Sequence, residues 1–125
     1  MPLNHPDEAS AYFNRTSGRF FNLSKDLQPG QSWLIDLVDV TENTKTKYPI
    51  AGKTFCYRLT FLDPQGETRI MDVNGSDAIA QVFRALYPNG HAGGLQPGLA
   101  TLTRRAERST KQANFSLTRE KAVDP

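Results

Sequence analysis

The chain holds one cysteine, Cys56, and two histidines, His5 and His91, in 125 residues. A single thiol cannot close an internal disulfide or make a cysteine-based zinc site alone, so nothing ties the chain to an oxidising compartment. Both histidines lie in loop-like sequence with no cysteine or carboxylate at metal-ligand spacing. Surface histidines are the expectation, and no metal or other cofactor is implied. Long apolar runs are missing too. None approaches the ~18 residues of a membrane span, and the opening MPLNHPDEAS lacks the basic and then apolar regions of a secretory signal. A soluble cytosolic protein without a membrane partner is expected.

Arrangements that carry catalysis are equally scarce. Cys56 has no histidine near it in sequence, and a small buried thiol is the plainer reading. Asp36, Asp39, Asp63, Asp72 and Asp77 are scattered over turns and strands without a pair suited to acid–base work. Gly90, Gly93, Gly94 and Gly98 are not followed by the Lys-Ser/Thr and helix of a phosphate-binding loop. The chain is not expected to be an enzyme.

The formal charge of +2 is too small to point to a partner, but its distribution is uneven. Residues 1–40 hold three bases against five acids, and residues 59–103 two bases against four acids. Residues 41–58 hold Lys45, Lys47, Lys53 and Arg58 against Glu42 alone. Residues 104–121 hold Arg104, Arg105, Arg108, Lys111, Arg119 and Lys121 against Glu107 and Glu120. Positive charge thus sits in two blocks. One basic loop would pass as a solvated hairpin tip, but a field that attracts polyanions needs several bases converging in space, and two loops can supply it.

Hydrophobic period places these blocks between strands. Residues 1–18 carry no sustained pattern and read as a weakly ordered segment ahead of a domain spanning 19–120, with 121–125 a short tail. Phe20 and Phe21 are expected to pack at the mouth of the domain. Ser32 to Val40 reads as a strand with Trp33, Ile35 and Leu37 on one face; the phase then slips to Val38 and Val40, as a β-bulge requires. Thr54 to Leu62 and Thr68 to Val73 form a hairpin about Asp63-Pro64-Gln65-Gly66. Ile79, Val82, Phe83 and Leu86 follow a helical period, with Ser76 as N-cap and Asp77 at the favourable end of the dipole. The glycine-rich stretch from His91 to Gly98 reads as an exposed loop. Leu99 to Thr103 and Asn114 to Arg119 read as two last strands.

Strand, strand, strand, helix, strand, strand, with a bent first strand, is the layout of an oligonucleotide-binding (OB) fold. The chain resembles the OB-fold single-stranded DNA-binding proteins, in particular the short stand-alone kind found in bacteriophages. The resemblance covers about residues 19–120 and rests on topology, loop charge and aromatic placement, not on a signature motif. It implies an all-β, five-stranded OB-fold barrel with one helix between strands three and four. It further implies DNA lying across strands two and three, between the loops joining strands one to two and four to five. Those loops are Thr41–Lys53 and Arg104–Lys111, the two basic blocks. The function implied is binding of single-stranded DNA with little sequence preference in replication, recombination or repair, in the cytoplasm, or the host cytoplasm if viral. Replication or recombination proteins and a second copy of the chain are the other partners considered. The ending AVDP departs from the acidic tip with which bacterial members recruit repair proteins, so recruitment through the tail is not implied.

Lys45, Lys47, Lys53, Arg104, Arg105, Arg108 and Lys111 are the candidate phosphate contacts. Tyr48 is a loop ring with no core to fill and is a candidate for base stacking. Arg58 either stacks on a base or pairs with Asp72 on the next strand. Phe55, Tyr57, Leu59 and Phe61 read foremost as the interior row, with Tyr57 and Phe55 kept as contacts in case a bulge inverts the phase. Trp33 reads as core, and Phe115 faces the same choice. Two other functions share most of these features: an OB-like module that binds an acidic protein, and a single-stranded RNA binder, which differs in its contacts to the 2′-hydroxyl.

Overall fold

The structure, a computed structural model, describes residues 19–109 and 111–120. The weakly ordered segment and the short tail expected at 1–18 and 121–125 lie outside the described residues. The elements in chain order are β1 (Arg19–Phe20), α1 (Leu23–Asp26), β2 (Ser32–Asn43), β3 (Cys56–Leu62), β4 (Thr68–Val73), α2 (Ser76–Leu86), a 3-10 turn (His91–Gly93), β5 (Gly98–Arg104) and β6 (Phe115–Arg119). The strands form one sheet in the order β1-β4-β3-β2-β5-β6. All pairs are antiparallel except β1 with β4.

The fold is thus predominantly β, with long strands and a helix in the expected order. Two expectations need correction: the sheet has six strands, not five, and it does not close into a barrel. The reason lies at the two edges that closure would have to join. On β4 the first part of the outer edge is already taken, because Arg19 and Phe20 pair with Arg69 and Ile70 and Phe21 N donates to Ile70 O at 2.8 Å. On β6 the outer backbone groups are taken by a side chain. Gln81 of α2 donates from Nε2 to Phe115 O (3.0 Å) and accepts from Leu117 N at Oε1 (2.7 Å). A satisfied edge has nothing left to offer another strand.

The bulge is present. Leu37 faces Phe61 and Asp39 faces Thr60, leaving Val38 as the extra residue, after which Val40 faces Leu59. Strand β2 runs on to Asn43, beyond the expected Val40, because Thr41, Glu42 and Asn43 still find partners in Arg58, Tyr57 and Cys56. Ser76 is the first helical residue of α2 rather than its N-cap. Gly75 holds the cap position without a side-chain bond.

The core lies between the sheet and α2. Ile35, Leu37, Leu59, Phe61, Met71, Val73, Leu102 and Leu117 meet Val82, Leu86, Ala78 and Ala85. At one end the core also contains a charge. Arg69 alternates in phase with Met71 and Val73, so its side chain is directed inward and is only 3 % exposed. It pairs with Asp26 at 2.6 Å and Asp63 at 3.3 Å, donates to Phe20 O at 3.1 Å, and lies against the rings of Phe21 and Trp33. Arg69 therefore fastens β1 and α1 to the sheet.

Candidate nucleic-acid interface

The loop between β2 and β3 is held by its own short-range chemistry. Asn43 at the strand end accepts from Lys45 N at Oδ1 (3.1 Å), and Thr46 Oγ1 accepts from Tyr48 N (3.0 Å), two side-chain turns of the kind these residue types favour. Further on, Ile50 N donates to Phe55 O and Lys53 N to Ile50 O, with Gly52 at φ 78° completing the turn. Backbone order leaves the side chains outside. Lys45, Lys47 and Lys53 are exposed, and Tyr48 is 74 % exposed.

Both basic loops are tied to the start of α2. Asn74 Nδ2 donates to Tyr48 O at 2.8 Å, and three residues later Asp77 Oδ2 accepts from Ala113 N at 2.8 Å. Gln81 Nε2 donates to the same carboxylate oxygen at 2.9 Å. These two hydrogen bonds, with the positive charges of Arg105 and Arg84 beside them, hold the Asp77 carboxyl below the usual carboxylate range. The folded state keeps this group ionised, so its contribution is present above the ordinary carboxylate pKa and fades as pH falls through the lowered folded value. Asn74 and Asp77 are three residues apart, which caps their Cα separation near 10 Å. Lys45, Lys47, Lys53, Arg105, Arg108 and Lys111 enter none of the four ion pairs among the described residues. Each charge block is therefore anchored at the same end of the helix, with none of these six cations in an ion pair among the described residues.

The sheet face between the loops differs from what a polyanion path requires. Arg58 pairs with Asp72 through Nε (2.8 Å) and Nη2 (3.1 Å), and Asn43 donates to the same carboxylate. The guanidinium also lies over the ring of Phe20, 5.2 Å from its centroid. Of the two roles open to Arg58, it takes the ion pair, and Asp72 raises its already high basicity. The groove beside it, about 500 Å³, is lined by Asp39 and Glu42 as well as Thr41, Asn43, Thr60 and Val38. Its lining carries two acids against one base that is already paired.

Tyr57 stands on the opposite side, where its ring meets Phe83 of α2 at 4.8 Å and Phe55 at 5.5 Å. The interior reading of this row holds, since Leu59 and Phe61 are fully buried. Trp33 packs on the core beside Phe21, and Phe115 is 5 % exposed. Arg104 is likewise engaged: its Nη1 donates to Leu27 O (2.8 Å) and Ser24 O (3.3 Å), filling the carbonyl end of α1. Arg108 and Lys111 are exposed, and Arg105 is half-buried.

Of the ten sequence candidates, Lys45, Lys47, Tyr48, Lys53, Arg105, Arg108 and Lys111 sit on or beside the two loops. Tyr57, Arg58 and Arg104 are engaged within the protein. Sequence reasoning missed the fasteners Asn74 and Asp77, which read only as a strand stop and a helix start. Among the described residues no group of three or more His, Cys, Asp or Glu is placed to hold a metal ion, and no helix is long and apolar enough to cross a membrane. Comparison of the chain with protein-family models, with curated proteins and with solved structures finds no match, so the functional reading rests on this geometry.

Proposed function

We propose that this protein binds single-stranded DNA with little sequence preference, in the service of replication, recombination or repair, and has no catalytic activity. The observation that carries the reading is the fastening of two basic loops to the start of α2, with the exposed ring of Tyr48 among the lysines. Cations for phosphates and a flat ring for a base are the parts a single strand needs. An OB-like arrangement is compatible with this reading: β4, β3, β2, β5 and β6 are neighbours in that order, while β1 adds a sixth strand and β4 does not pair with β6. The strand path then follows the loops at the head of α2 and not the groove beside Arg58, whose acids repel phosphate.

A fluorescence titration with oligothymidylate at several salt concentrations tests the reading. With about five phosphate contacts the logarithm of the affinity falls against log salt with a slope near −3.5, at roughly −0.7 per contact. No binding at low salt would sink it. Oligouridylate binding more tightly than oligothymidylate would move the assignment to RNA. Loss of DNA binding would favour the protein-interaction alternative, which draws on Leu34 and Leu99, 53 % and 50 % exposed on neighbouring strands.

Tyr48→Ala separates stacking from charge. The ring is 74 % exposed and the backbone oxygen that accepts from Asn74 is kept by alanine, so its loss should leave the fold intact. Stacking of one base contributes roughly 1–3 kcal/mol, so affinity should drop about 5- to 150-fold with the salt slope unchanged. A variant that binds like the parent would take Tyr48 out of the site.

A further inference from the structure

A second feature of the basic end is a cleft and not a loop. Between the start of α1 and the base of the β5–β6 hairpin lies a space of about 310 Å³ lined by Arg104, Arg105, Arg108, Asn22, Ser24 and Asn114, with no acid in its lining. Arg104 is held in place by the carbonyls of Leu27 and Ser24, which leaves Nε and Nη2 of a fixed fork for another acceptor. Arg105 Nε–H is buried and has no hydrogen-bond partner among the described residues. A buried donor left unpaired is uncommon enough to ask for an acceptor. The start of α1 does not supply the site, because Asn22 Oδ1 already accepts from Ser24 N and Lys25 N. Asp77, the nearest acid to act on Arg105, already accepts from Ala113 and Gln81, and Glu107 is exposed on the hairpin tip.

We propose that this cleft binds a phosphate monoester, the terminal phosphate of a nucleic-acid strand. Guanidinium groups bind phosphate oxygens in pairs, and three of them in a cleft whose lining among the described residues holds no acid favour the more highly charged monoester, about −1.5 to −2, over an internal diester. The volume lies at the lower bound of ligand pockets, about 300–1,000 Å³, so it holds a phosphate with part of an attached sugar. The inference rests on the proposed DNA binding only for the source of the phosphate.

Two measurements test it together. Affinities of 5′-phosphorylated, 3′-phosphorylated and unphosphorylated oligothymidylate are compared at fixed salt. Amide chemical shifts of Arg105, Arg108 and Asn114 are followed while inorganic phosphate replaces chloride at constant ionic strength. One phosphorylated end should bind about tenfold tighter than the unphosphorylated strand, and phosphate should move those three amides. The end preference should shrink toward unity in Arg105→Gln and in Arg108→Gln, where the parent side chain is exposed, the second variant guarding against misfolding of the first. Shifts without an end preference keep the cleft and assign it to free phosphate or a nucleotide. Shifts in a protein that binds no strand at all keep the cleft and reject the DNA reading. Strand binding with equal affinities and unmoved amides overturns the proposal and leaves the DNA reading standing.

Discussion

Arg69→Met is expected to lower the unfolding free energy by about 3–5 kcal/mol, the cost of removing one partner from a buried ion pair. The native guanidinium serves two carboxylates at once. Asp63 has a side chain only 1 % exposed and Asp26 one that is 22 % exposed. Methionine fills most of the volume beside Phe21 and Trp33, so the loss reports the stranded charges and not a cavity. Asp63 retains backbone donors at its other oxygen, Gln65 N and Glu67 N, both at 2.9 Å, which places the cost toward the lower end of the range. Even so it is a large part of the roughly 5–15 kcal/mol that holds a domain together. Arg69→Lys should rescue little, because one ammonium cannot span Asp26, Asp63 and Phe20 O as the planar fork does. Asp26→Asn should cost less than either, since its side chain is partly solvated and still accepts. Urea unfolding gives the three values, and an Arg69→Met loss below about 1 kcal/mol would show that the pair contributes no net stability. Hydrogen exchange should also quicken at Phe21–Leu27 in the Arg69 variants, because Arg69 is one of the side chains that join β1 and α1 to the sheet.

The same residue shows what was legible in the sequence. Thr68 to Val73 was readable as a strand, but nothing in that reading marked Arg69 as a core residue or revealed its acceptors. Asp26 belongs to a four-residue helix and Phe20 to a two-residue strand, and neither is long enough to show a period. Missing them meant missing why the sheet stays open, since β1 occupies an edge that a barrel would need. Gln81 covers the other edge, and from sequence it is simply a polar residue in a helix. The bulge at Val38, the hairpin of β3 and β4 and the apolar stripe of α2 all left repeating signals and were readable. So were the two basic blocks, because charge density is a property of composition. What composition could not show is which cations are held in place or paired within the protein. Arg104 and Arg58 look like Lys45 and Arg108 until the carbonyls of α1 and the carboxylate of Asp72 are placed beside them.

Replacing Lys45, Lys47 and Lys53 together by Ala should weaken strand binding about 100-fold at ~0.1 M salt and move the salt slope from near −3.5 to near −1.4. Each lysine that meets a phosphate releases about 0.7 of a counterion, so three contacts remove about two powers of ten in affinity at that salt and about two units of slope. The fold should not change. The three side chains are exposed and form no ion pair among the described residues, and the loop bonds that involve Lys45 and Lys53 use backbone N–H groups that alanine keeps. The loss should be the same for every base sequence, because phosphates carry no sequence information. Charge and stacking then separate on two axes: the triple variant changes slope and affinity together, whereas Tyr48→Ala changes affinity alone. Lowering the salt should therefore restore high affinity to Tyr48→Ala, which keeps the parent's slope, better than to the triple variant, whose deficit against the parent widens as salt falls. The cleaner discriminator is the slope itself. A triple variant with the parent's slope would remove the β2–β3 loop from the interface and leave the β5–β6 hairpin to account for binding alone.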